Sequence, residues 1–129
     1  MERRLYQRVP IQVSAIVTTE DEVRINVVAV DVSSAGLGVE CNIKQRNMIT
    51  PGGSFVRDGK PVAVSVDLHL PDVDGQPAAK IAARCHVVFS RRMSSDQCKI
   101  GLRYADIENN GHQRLVQFID KTLASLTKE

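Results

Sequence analysis

The sequence predicts a mainly β domain: a barrel or sandwich of about six antiparallel strands, closed by a C-terminal amphipathic helix. Two observations carry this prediction. Apolar and polar residues alternate with period two from Ile11 to Tyr104, in runs divided by turn formers at hairpin-like spacing. The period then lengthens to that of a helix over the last part of the chain. Length agrees, since 129 residues can bury one real core and not two.

In the first strand Ile11, Val13, Ala15 and Val17 share one face, with Gln12, Ser14 and Thr18 opposite. Arg24 to Val32 is almost continuously β-branched and ends in a turn. Leu37 to Cys41 forms a short third strand. The stretch Ile43–Lys60, which holds TPGGS and RDGK, reads as one long irregular segment, and loops of that length are usually functional or mobile. Val62, Val64, Val66, Leu68 and Leu70 then alternate with Ala63, Ser65, Asp67 and His69, which puts His69 on the polar face. Pro71 and the DVDG after it break that strand into a turn. Ile81, Ala83, Cys85, Val87 and Phe89 line one side of the next strand, and SRRMSSDQ connects it to Cys98, Ile100, Leu102 and Tyr104. Finally Leu115, Phe118, Ile119, Thr122, Leu123 and Leu126 fit one helical stripe, with Asn109 or Asn110 as N-cap. That stripe is expected to pack on the sheet.

Hydrophobic residues make up 43% and charged residues 25%, an ordinary globular balance. A net charge of +2 argues weakly for nucleic acid, so any anion site must be local. A barrel that binds single strands also needs stacking aromatics, and this chain has no Trp, three Phe and two Tyr. The basic N-terminus lacks an apolar h-region, and no apolar run nears the roughly 20 residues of a membrane span. The expectation is a soluble, cytoplasmic protein without membrane insertion. Three widely separated cysteines exclude a full disulfide set and any CxxC metal pair. Cys85 and Cys98 fall on apolar faces as small core residues, and Cys85 and His86 point to opposite sides of a strand. No Ser-His-Asp set, carboxylate pair on one element, P-loop or metal-spaced cluster is present, and no cofactor is expected. The chain reads as a receptor and not as an enzyme.

Two short stretches carry the chemistry. The chain opens MERRLYQR, with Arg3, Arg4 and Arg8 in its first eight residues. The second stretch, DVSSAG, runs from Asp31 to Gly36; alone it is a turn between strands, with Gly36 free to take a positive φ or admit a ligand. Arg4-Leu-Tyr-Gln-Arg8 followed by Asp31-x-Ser33-x-x-Gly36 resembles the PilZ domain, whose signature is RxxxR followed by [DN]xSxxG. LHLPDVDGQPAAKIAARCHVVFSRR, CKIGLRYADIE and the closing helix look like the rest of that family, so the resemblance covers Arg3 to about Leu126. The extended Ile43–Lys60 segment is the main departure. The resemblance implies a six-stranded antiparallel β-barrel over residues 9–127, preceded by a flexible ligand clamp over 1–9. It also implies a ligand, the bacterial second messenger cyclic di-GMP.

The residue types suit that ligand. A guanidinium fork matches the O6 and N7 acceptors of guanine and the phosphates alike, which gives Arg4 and Arg8 their role. Asp31 can accept from the N1–H and N2–H₂ donors of guanine, and Ser33 adds a hydroxyl. A side chain at Gly36 would obstruct close approach, and Gly101 is a further candidate from a neighbouring strand. By resemblance, an arginine just before RxxxR accompanies two intercalated ligands per chain. Arg3 would then add cation against their mutual repulsion. The bound state would be read in trans by an effector protein in motility- or biofilm-type control. The alternative is a PilZ-like interaction protein that binds no nucleotide and assists pilus or surface-motility machinery.

Overall fold

The computed structural model describes residues 8–73 and 75–127. In chain order it forms β1 (Val9–Thr18), β2 (Arg24–Val32), β3 (Gly36–Cys41) and helix α1 (Ile43–Ile49). A 3-10 turn (Pro51–Gly53) and two short strands follow, β4 (Val56–Arg57) and β5 (Lys60–Pro61). The chain ends with β6 (Ala63–Leu70), β7 (Ala79–Ser94), β8 (Gln97–Ile107) and helix α2 (Gly111–Thr127). Six strands close into an antiparallel barrel in the order β1-β2-β3-β8-β7-β6, and β4 and β5 pair separately. The long β7–β8 pair is its largest hairpin, and the ring is sealed where Ala15–Thr18 of β1 meet Ser65–Leu68 of β6.

Alternation sends every second residue inward. Ala15, Val17, Ile25, Val27 and Ala29 are joined in the core by Leu37, Val39, Val64, Val66 and Leu68, and by Ile81, Ala83, Val87, Ile100 and Leu102. Burying an aliphatic side chain of this kind contributes about 1.5–3 kcal/mol before entropy is counted. All three cysteines are core residues. Burial pushes the Cys85 thiol up to about 12 and, with a smaller effect of nearby Cys98, the Cys41 thiol to about 11. Helix α2 starts just after Asn110, whose carbonyl accepts from the Arg114 amide, and packs on β7 with Leu115, Phe118 and Ile119 buried. The side chain of Leu126 lies outside the described residues.

The segment Ile43–Lys60 is not irregular, which corrects the sequence expectation. Asn42 caps α1 by accepting from the Gln45 amide at 2.7 Å, and the Gln45 side chain accepts from the Asn42 amide at 2.9 Å. These reciprocal bonds form a capping box that satisfies two end donors of a seven-residue helix. Further on, Asp58 (φ 54) and Gly59 (φ 77) form a two-residue turn with both central φ positive, which folds β4 onto β5.

Candidate functional site

A β-bulge positions the central residue of the site. Ile25, Val27 and Ala29 of β2 point inward, so strict alternation would send Asp31 into the core as well. The β2–β3 register instead shifts between Ala29 and Asp31, Val32 becomes the next buried residue, and Asp31 emerges on the outer face. There its two oxygens meet two cations. Arg8 donates to Oδ1 at 2.6 Å, and the Lys99 ammonium lies 2.8 Å from Oδ2. Arg8 reaches this place because Pro10, two residues on, pairs with Asp31 across β1 and β2.

The Ser33–Gly36 turn beside it is closed by its own polar groups. The Ser33 amide donates to the Gly36 carbonyl at 2.8 Å, and the buried Ser33 hydroxyl accepts from the amides of Ala35 and Gly36. Gly36 itself is required by the neighbouring strand, since a β-carbon there would run into the Leu102 carbonyl oxygen.

A row of residues crosses the outer face from Asp31. Asp31 pairs with Gly38, Gly38 with Gly101, and Gly101 with Phe89, across β2, β3, β8 and β7. Gly38 leaves bare the strip that Lys99 crosses. A β-carbon there would stand 2.8 Å from the Lys99 Cε and 2.9 Å from an Asp31 oxygen. The ring of Phe89 lies over Gly101, where a β-carbon would collide with it, and the Arg91 guanidinium sits 5.8 Å from the ring centroid. The outer face thus carries Arg8 and Lys99 on Asp31, with Arg91, the register partner of Lys99, beside Phe89 and with Glu40 opposite Lys99 on β3. A cavity of about 810 Å³ adjoins it, lined by Ser34, Ala35, Arg103, Tyr104 and His112 among others. The Tyr104 hydroxyl is buried without a hydrogen-bond partner, and burial pushes its pKa far up.

The structure brings Arg8 and Asp31 into contact, with Ser33 and Gly36 in the adjoining turn and Gly101 two steps along the row. Arg3 and Arg4 lie outside the described residues, as does most of the clamp segment 1–9. Lys99, Gly38, Phe89 and Arg91 were not singled out from the sequence. The Lys-x-Gly spacing of Lys99 and Gly101 was a visible signal, because it puts both on one strand face.

A family model for the PilZ domain matches residues 2–121 of the sequence. The chain belongs to the PilZ domain family. No curated protein is matched. Among solved structures, this PilZ domain is similar to the Bacillus subtilis inhibitor of motility MotI/DgrA, with a TM-score of 0.73 and 18% identity over 99% of this chain and 55% of that one. It is also similar to the PilZ domain of YcgR from Escherichia coli with c-di-GMP, with a TM-score of 0.58 and 10% identity over 97% and 95% of the two chains. The K. pneumonia MrkH–c-di-GMP complex matches with a TM-score of 0.62 and 11% identity over 98% and 55%. The chain thus spans little more than half of MotI and MrkH. At these identities the likeness is one of fold.

The electrostatics around Asp31 follow from its geometry. Burial alone would raise the pKa of Asp31, but the hydrogen bond and charge of Lys99, and then those of Arg8, outweigh it and hold the carboxyl below its ordinary value. Asp31 is therefore ionised at neutral pH and acts only as an acceptor. The surrounding guanidinium and ammonium groups supply donors and positive charge. Such a surface can bind an anion that also offers N–H donors, which a simple phosphate lacks.

Proposed function

We propose that this chain is a cyclic di-GMP receptor that acts in the cytoplasm and reports its bound state in trans to an effector protein, in motility- or biofilm-type control. The observation that carries the reading is the ion pair between Arg8 and Asp31, 23 positions apart in sequence, beside the Ser33–Gly36 turn. It joins the two halves of the family signature in one place. In the proposed complex the Arg8 fork moves from Asp31 to a phosphate or to the O6 and N7 edge of guanine. Asp31 then accepts from the guanine N–H donors, and Lys99 keeps it ionised. Ser33 and Gly36 act by holding the turn, and Gly101 acts by seating Phe89 at the end of the row. Arg3 and Arg4 complete the clamp over residues 1–9 and offset the charge of two ligand molecules. No cofactor and no catalytic step belong to this reading.

Calorimetric titration tests it. Cyclic di-GMP should bind in preference to cyclic di-AMP, whose adenines lack the donors that Asp31 accepts. Arg8→Ala and Asp31→Ala should each weaken binding by about 1–3 kcal/mol, the scale of a bidentate base contact. The unaltered protein should saturate at two ligands per chain, and Arg3→Leu at one. Undiminished affinity in both alanine variants would overturn the site. Saturation of the unaltered protein at one ligand would overturn the role of Arg3. No binding at all would leave the nucleotide-free interaction protein as the reading.

A further inference from the structure

Two strand irregularities, not one, shape the outer face on which Asp31 sits. Alternation along β7 puts Phe89 on the same side as Ile81, Ala83, Cys85 and Val87, and the structure corrects this. The β7–β8 register shifts between Val87 and Phe89, so that Val87 pairs with buried Leu102 while Phe89 pairs with Gly101. Lys99, Gly101 and Arg103 of β8 alternate with the buried Cys98, Ile100 and Leu102, so Gly101 belongs to the outer face, and Phe89 with it. Phe89 takes no part in the core. One bulge turns a carboxylate outward on β2, and a second turns an aromatic ring outward on β7, in the same row.

The way the ring lies defines what it can do. A β-carbon on Gly101 would run into three successive ring carbons, Cδ2, Cε2 and Cζ, so the ring rests on the glycine by its face and not by its edge. The opposite face is left open, and the side chain is partly exposed. The Arg91 guanidinium stands 5.8 Å from the ring centroid, beyond the about 3.5–4.0 Å of direct carbon contact, on a side chain that is itself exposed. Gly101 is two strands from Asp31, about 10 Å at the usual strand spacing. Lys99 lies between them on Asp31, and Glu40 opposite it accepts from the Gln97 side chain at 3.0 Å, so both carboxylates on this face are engaged by donors. Phe118 is buried, Tyr104 packs against the core and Phe55 precedes the β4–β5 hairpin, so among the described residues Phe89 is the aromatic ring on the Asp31 face.

We propose that Phe89 is a guanine-stacking residue of the cyclic di-GMP site, with Arg91 closing on the other face of the same base. This role rests on the receptor reading above and supplies what that reading lacks, a surface for the flat face of the base. Edge contacts from Arg8 and Asp31 tell guanine from adenine, whereas stacking on Phe89 tolerates either base and adds affinity. A planar guanidinium stacks on aromatic faces, which suits Arg91 to the outer side of the base. Gly101 then serves the ligand at one remove, because any side chain there would lift the ring off the sheet.

The chain has no tryptophan, which makes the test direct. Phe89→Trp introduces a single indole at the platform, and titration of the whole chain with cyclic di-GMP should quench its fluorescence while binding is retained. Phe55→Trp, a single indole at the exposed residue before the hairpin, should bind equally and keep its emission. Phe89→Leu keeps an apolar cover but no ring face, and calorimetry should show binding weakened by about tenfold, within the range of one base stacked on an aromatic side chain. An unfolding midpoint equal to that of the unaltered protein verifies the fold of each variant. Full affinity in Phe89→Leu, unquenched emission from Phe89→Trp at saturating ligand, or equal quenching in Phe55→Trp would overturn the platform and leave the Asp31 site standing. Failure of the unaltered protein to bind cyclic di-GMP would overturn the receptor reading, and the platform with it.

Discussion

A carboxylate held by a guanidinium and an ammonium favours the ionised state of the folded protein. The folded pKa of Asp31 lies below the unfolded one, so its contribution to stability is fully present above the unfolded pKa and is lost as pH falls through the folded value. Thermal unfolding across an acid series should therefore show a constant advantage over Asp31→Asn from neutral pH down to about 4, near the unfolded carboxyl value. Below that the advantage should shrink. An advantage that persisted undiminished into strong acid would mean that the charge of Asp31 contributes nothing. Arg8, Asp31 and Ser33 were legible because each belongs to a short pattern with fixed spacing. Lys99 and Gly38 were not, because their meeting depends on the β3–β8 register and on the bulge that turns Asp31 outward. No local pattern specifies either. Gly36 was legible as a special position, though its described surroundings give a different reason, the Leu102 carbonyl pressed against it.

Among elements, the long strands and α2 repeat a period often enough to be read directly. Helix α1 spans two turns and β4 and β5 two residues each, too short for any period to show. Their signals were of another kind. Asn42 three residues before Gln45 is the pattern of a capping box, and Asp58-Gly59 is one of the dipeptides favoured in two-residue hairpin turns. Both were present inside a stretch whose glycines and polar residues suggest a loop. If the cap holds α1, Asn42→Ala should cost about 0.5–2 kcal/mol in denaturant unfolding. The amides of Gln45 and Arg46 should also exchange faster. An unchanged midpoint with unchanged exchange would show that α1 is held by Ile49 and the barrel alone.

For the whole molecule, strand number and the closing helix followed from periodicity and turn spacing. Closure followed only from family resemblance, since β1 and β6 meet across a large sequence separation. A closed ring holds Asp31 on β2, Lys99 on β8 and Arg8 just before β1, so a ligand that grips all three braces the ring itself. Cyclic di-GMP at about 100 times its Kd should stabilise the fold by about 2.7 kcal/mol through binding to the native state alone. The unfolding midpoint should rise accordingly, and cyclic di-AMP should leave it in place. Equal shifts with both nucleotides would contradict guanine recognition.

The seam of the ring also bears on how the protein behaves in a crowded solution. Only Ala15–Thr18 of β1 face β6, so Val9–Ser14 has no strand beside it on that edge among the described residues. A bare edge is a template on which other chains can assemble as sheet. Here it is blunted. Pro10 offers no amide hydrogen, the register shift between Pro10 and Val13 bends the strand, and exposed Gln12 and Ser14 keep it wet. Pro10, two residues after Arg8, thus removes a donor that an incoming strand would need on this edge.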